Sequence, residues 1–168
     1  MKYVWIVLCL LLVTSANSQA QSVDEEISRA VMAAPPAMRT DAAVVRLADD
    51  GSHEVFREGS NGLVCYDRSN EPGREFSAQC TSVRNLPRAG QNHKVWMSSA
   101  NAEEARVMFE SQESNGSREA PQFGSVWYTL AGSDQASASE NSPHITIAVP
   151  FSTSDTLGLP SEGSYSQS

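Results

Sequence analysis

The chain runs to 168 residues, with 12 lysines and arginines against 20 acids and a formal net charge of −8. That balance argues against wrapping a nucleic-acid backbone or docking on anionic lipid, since both need clustered cations. The length suits one domain, large enough to bury a core without a metal or a cross-link.

Residues 1–20 read as a signal peptide. Lys2 gives a short positive start, Tyr3 to Val13 is an unbroken apolar run of eleven residues, and small polar residues follow. Such a run suits the apolar segment of an export signal and is too short to span a bilayer as a helix. Ser18 and Ala20 form a small-x-small cleavage site, so cutting is predicted after Ala20. Cys9 leaves with the leader, and Cys65 and Cys80 remain. In an oxidising compartment, an even pair without Cys-x-x-Cys spacing is read as a structural disulfide.

The first mature element is a helix over Ser22–Ala34. Ser22 and Glu25 stand at capping-box spacing, Asp24 to Glu26 favour the helix dipole, and Ile27, Ala30, Val31 and Ala34 share one face. Pro35-Pro36 ends it. Ala42–Leu47 alternates as a strand, Asp49-Asp50-Gly51-Ser52 is a turn, and His53–Arg57 is a second strand. Ser60-Asn61-Gly62 signals a hairpin into a third strand, Leu63–Tyr66, which predicts an antiparallel three-strand meander.

Asp67–Ser77, with Pro72-Gly73 at its centre, reads as a surface loop. Beyond Cys80 the chain reads as irregular as far as Asn92, and Val95, Trp96 and Met97 form a short apolar patch. Asn101 caps a second helix with Glu104 at the capping-box position and Ala105, Met108 and Phe109 on one face. Phe123–Leu130 and His144–Val149 read as strands, separated by a Ser-rich acidic loop over Gly132–Ser142. The domain division is therefore a signal peptide at 1–20, a single domain at 21–151 and a flexible Ser/Gly-rich tail at 152–168. The predicted fold class is α+β: an antiparallel sheet of about five strands, two helices on one face and one disulfide.

Chemistry-bearing patterns are sparse. His53, His93 and His144 form no helical metal-binding pair. Metal binding would require them to converge with an acid such as Asp67. His144, which follows Pro143 and opens a strong strand, is the most interesting, since an imidazole fixed at a sheet edge can serve as base or ligand. Gly59-Ser60-Asn61-Gly62 lacks the Gly-x-Ser-x-Gly spacing of a nucleophile elbow, and no phosphate-cradling or dinucleotide fingerprint is present. No cofactor and no metal are predicted. Tyr66, Trp96, Trp127 and Tyr128 could line a ligand groove, although scattered aromatics in a small domain usually build core.

Ala33-Ala34-Pro35-Pro36, the run Arg57-Glu58-Gly59-Ser60-Asn61-Gly62 with Cys65 after it, the strand around Trp127-Tyr128, and Pro143-His144 before a strand ending in Val149-Pro150 resemble a family of uncharacterised bacterial exported proteins. Members of that family carry a histidine just before the proline, where this chain has Ser142. The resemblance implies export and a bacterial envelope setting, and no activity. The leading expectation is a non-enzymatic periplasmic or secreted binding or interaction module with a protein or small-molecule ligand. The alternative is a small extracytoplasmic hydrolase or metal-dependent enzyme centred on His144, with His53 and Asp67 as partners. A third reading is an inhibitor-like module presenting the Asp67–Gln79 loop.

Overall fold

The computed structural model describes residues 23–160; the predicted leader and the last residues of the predicted tail lie outside them. Helix α1 covers 23–30 and tightens into a 3₁₀ turn at Val31–Ala33, and a second 3₁₀ turn follows at Pro36–Met38. Strands β1 (Ala43–Leu47), β2 (His53–Arg57), β3 (Leu63–Asp67) and β4 (Phe76–Ser82) come next. A 3₁₀ turn at Val83–Asn85 leads into helices α2 (Leu86–Ser98) and α3 (Ala102–Ser114). The chain continues through β5 (Val126–Gly132), α4 (Gln135–Glu140), β6 (His144–Ile147) and a short α5 (Ser154–Leu157). Among the described residues no helix is long and apolar enough to cross a membrane.

The α+β class holds, with a six-stranded mixed sheet in the order β2-β1-β3-β4-β5-β6. The expected meander does not form. β1 pairs antiparallel with β2, but it pairs parallel with β3 and so lies between the two strands that Ser60-Asn61-Gly62 was expected to join as a hairpin. The reason lies in what residues 57–62 bond. The Arg57 guanidinium donates to the carbonyls of Ala42 and Arg39, the Ser60 and Asn61 amides donate to the Asp41 carbonyl, and Asn61 Nδ2 donates to the Met38 carbonyl. Gly59 passes so close beneath the start of β1 that a Cβ there would lie 2.1 Å from Ala43 N. These contacts carry the chain under β1 to its far side, and long-range bonding overrides the local turn preference.

Three further expectations are corrected. Residues 76–82, read partly as loop, are a central strand whose Phe76, Ala78 and Cys80 enter one apolar cluster while Ser77, Gln79 and Thr81 face the other way. The stretch from Leu86, read as irregular, is helical. Pro87 sits in the first turn of α2, where its missing N–H costs nothing. The 132–142 loop contains α4, capped by Asp134, whose carboxylate accepts from Ser137 N.

Both faces of the sheet are covered, so the expected pair of helices on one face is realised only in part. One face presents Val44, Leu63, Cys65, Phe76, Cys80 and Leu130 to Ala30, Ala33 and Ala34, with Ile27 alongside. The other presents Val45, Leu47, Val64, Tyr66 and Trp127 to Ala89 and Leu86 of α2. α3 packs outside α2, where Trp96 meets Phe109 edge-on with ring centroids 6.1 Å apart. The disulfide is formed: Cys65 and Cys80 stand directly opposite on β3 and β4, both with no solvent exposure. A closed loop of about 15 residues confers ~3 kcal/mol in the chain-entropy account.

Candidate functional site

The face opposite the disulfide carries a polar row across four strands. Tyr66, Gln79, Thr129 and His144 are successive cross-strand partners on β3, β4, β5 and β6. The Tyr66 hydroxyl donates to Gln79 Oε1 at 2.6 Å, and Gln79 Nε2 donates to Thr129 Oγ1 at 2.7 Å. Burial pushes the Tyr66 phenol well above its ordinary range, so it remains a donor. α2 covers the β3 end of this face and leaves the β5–β6 end open.

Where α2 stops covering the sheet, a cleft of about 320 Å³ remains. Its floor is Gln79, Trp127 and Thr146 from the sheet. Its walls are Arg68 from just beyond β3, Arg88 and Asn92 one helical turn apart on α2, and Arg118 from the loop after α3. That loop is pinned to α2. The Glu119 amide donates to Gln91 Oε1, Gln91 Nε2 donates to the Ser117 carbonyl, and the Gln122 amide donates to Asn85 Oδ1.

The arginines are held from behind. Arg68 grips Glu71 through Nε and Nη2, Arg74 Nε donates to the same carboxylate at 2.7 Å, and His93 Nδ1 lies 3.0 Å from Glu71 Oε1. Burial alone would raise the Glu71 pKa, but hydrogen bonds from His93 and Arg68 and the charges of Arg68 and Arg74 outweigh it and bring it to about 2. The carboxylate carries no proton, so the shared hydrogen sits on His93 Nδ1, leaving Nε2 buried without a partner. On the other wall, Arg88 Nη2 and Arg118 Nη1 converge on Glu113 Oε1 at 2.9 and 3.0 Å. Arg118 also donates to Asn92 Oδ1 and stacks over Phe109, 4.3 Å from the ring centre. Burial, and after it the like charge of Arg88, lower the Arg118 pKa. It stays cationic all the same, as arginines do. Neither Glu71 nor Glu113 reaches the lining, so the cleft is walled by three cations and no carboxylate.

The residues singled out from the sequence do not gather here. His53 lies on β2 and His144 on β6, the two edge strands, five strand spacings or ~24 Å apart. Both are exposed. Asp67, at the end of β3, is engaged by Arg29 Nε at 2.8 Å and by the Ser69 amide, and it borders a separate groove of about 890 Å³ that contains no histidine. Among the described residues, no group of three or more His, Cys, Asp or Glu side chains could hold a metal ion. Of the four aromatics considered for a ligand groove, only Trp127 lines the cleft. His144 sits two positions from Thr146 on the same face of β6, just outside it. The arginines that define the site leave no joint pattern in the sequence because they are scattered through the chain. The one local signal was the three-residue spacing of Arg68, Glu71 and Arg74.

Comparisons with protein-family models, with curated proteins and with solved structures found no match to this chain.

Proposed function

We propose that this chain is an exported, non-enzymatic binding module that holds a small ligand in the cleft between α2 and the β4–β6 face. The observation that carries this reading is the set of three arginines lining one cavity with their counter-carboxylates kept behind them. Building such a wall costs desolvation, and a structural ion pair would not need to turn its cations toward an open cleft. A cavity of this kind, with an apolar wall and a few fixed polar groups, has the composition of a small-molecule site. The wide separation of His53, His144 and Asp67 supports a binding role over hydrolysis or metal chemistry at those residues.

Export is supported by the leader-like pattern of residues 1–20 and by the Cys65–Cys80 bond, which persists in oxidising compartments. The bacterial envelope setting rests on the resemblance noted from the sequence.

Thermal unfolding of the purified protein against a panel of small anionic, cationic and neutral compounds tests the binding reading. A saturable rise in the midpoint that disappears in Arg118→Gln supports it. A panel without any stabilising compound, together with capture of a protein partner that is indifferent to Arg118→Gln, counts against it.

A further inference from the structure

The hydrogen-bond inventory of the cleft is lopsided. Its amide oxygens are occupied from within: Gln79 Oε1 accepts from Tyr66, and Asn92 Oδ1 accepts from Arg118. Its donors are left over. Arg68 spends Nε and Nη2 on Glu71, and among the described residues its Nη1 makes no hydrogen bond. Asn92 Nδ2 and the Trp127 indole N–H likewise have no partner among them, and Arg118 Nη1 and Nη2, bonded to Glu113 and Asn92, each carry a second hydrogen. Charge runs the same way. Arg68, Arg74, Arg88 and Arg118 share two carboxylates, Glu71 and Glu113, within a chain whose overall charge is −8.

A site rich in unspent donors and poor in free acceptors, with cations on two walls, is matched by an oxyanion, since guanidinium groups and N–H donors bind carboxylate and phosphate oxygens strongly and directionally. Apart from the Thr146 hydroxyl, which can donate as well as accept, the rest of the wall is apolar, built from the Trp127 ring, Pro121 and Ala148. At about 320 Å³ the cavity lies at the small end of the range for small-molecule sites.

We infer that the cleft binds a small organic oxyanion, a carboxylate or a phosphate monoester, whose anionic head meets Arg68 and Arg118 and whose compact apolar body lies against Trp127 and Pro121. This inference rests on the binding reading above and specifies its ligand.

Isothermal titration of the protein purified from cells expressing the full chain, with benzoate, phenyl phosphate, benzamide and benzylamine, tests it. Benzoate or phenyl phosphate binds, benzamide and benzylamine do not, and Arg118→Gln weakens the bound anion roughly tenfold or more. Binding of benzoate alone identifies a carboxylate, and binding of phenyl phosphate alone identifies a phosphoryl group. Arg118→Lys recovers only part of the loss, because it restores charge without the planar fork. Arg88→Gln, on α2, provides a second variant if Arg118→Gln fails to fold. Benzamide binding as tightly as benzoate, with no sensitivity to either arginine, overturns the oxyanion inference and leaves a small-molecule site standing. Absence of binding by all four probes overturns the inference too, and the compound panel described above then decides whether the binding reading survives.

Discussion

Glu71 and His93 face each other at 3.0 Å with almost no contact with water, at 2% and 1% exposure. Behind the cleft they form the fixed point from which Arg68 and Arg74 are positioned. Replacing the carboxylate by an amide removes the counter-charge of two arginines and sets an NH2 donor where one accepting oxygen stood, in a buried place. Glu71→Gln is expected to destabilise the protein by roughly 3–5 kcal/mol in urea unfolding. A loss under 1 kcal/mol would mean that the network is dispensable.

The same carboxylate gives a pH dependence. Its folded pKa of about 2 lies below the ordinary 4.5, so its contribution is present in full above pH 4.5 and is lost as pH falls toward 2. A depression of that size corresponds to ~3 kcal/mol. Unfolding free energies measured between pH 5 and pH 2 should fall more steeply for the natural chain than for Glu71→Gln. Parallel curves would contradict the assignment.

Gly90 on α2 meets the turn after β1 backbone to backbone, and a Cβ there would lie 2.2 Å from the Gly51 carbonyl oxygen. Gly90→Ala must therefore push α2 away from the sheet, at an expected cost of about 1–3 kcal/mol. Because α2 carries Arg88 and Asn92, the same variant should weaken ligand binding in titrations performed well below its melting temperature. Gly116→Ala meets no neighbouring atom, although it takes a positive φ, and serves as the comparison.

Tyr66→Phe deletes the donor to Gln79 Oε1 and leaves a half-buried acceptor to water in the cleft, for an expected loss of about 1 kcal/mol. It also frees an amide oxygen on the floor of the cleft, so anion affinity should drop even though no charge has changed. Calorimetric titration of this variant distinguishes the inventory of donors from bulk electrostatics: unchanged affinity would favour the latter.

Neither Cys65 nor Cys80 is exposed, so the native protein should resist alkylation after mild reductant and react only once denatured, as read by mass spectrometry. Cys65→Ala with Cys80→Ala is expected to lower stability by ~3 kcal/mol. Rapid labelling under native conditions would show that the sheet opens at its centre.

Much of the architecture was readable residue by residue. β1 and β5 betray themselves by alternation, β2 and β3 by the turns beside them, β6 by its β-branched residues, and α3 by its cap, where Asn101 Oδ1 accepts from the Glu104 amide at 3.0 Å. β4 was half hidden because one of its faces is polar and buried: Thr81 bonds the Val126 carbonyl and Asn85, and Gln79 bonds Thr129. α2 was hidden because its inward side is Ala89, Gly90, His93 and Val95, which makes no apolar stripe. The order of β1, β2 and β3 depends on bonds to Asp41 and Ala42 that no local pattern announces. The cleft was least legible, since Arg68, Arg88 and Arg118 meet only after the sheet and α2 have been assembled.

The parallel join between β1 and β3 rests on two residue pairs, Ala43 with Val64 and Val44 with Cys65, whereas β3 and β4 share five. Residues 43–57 thus form a hairpin attached along a short seam to a four-stranded remainder that is cross-linked through its own first two strands. The β1–β2 hairpin is therefore expected to exchange its amide hydrogens faster than β3 and β4, as hydrogen exchange read by mass spectrometry would show; equal protection would mean that the buried Val44, Val45 and Leu47 hold the seam as firmly as the cross-linked pair.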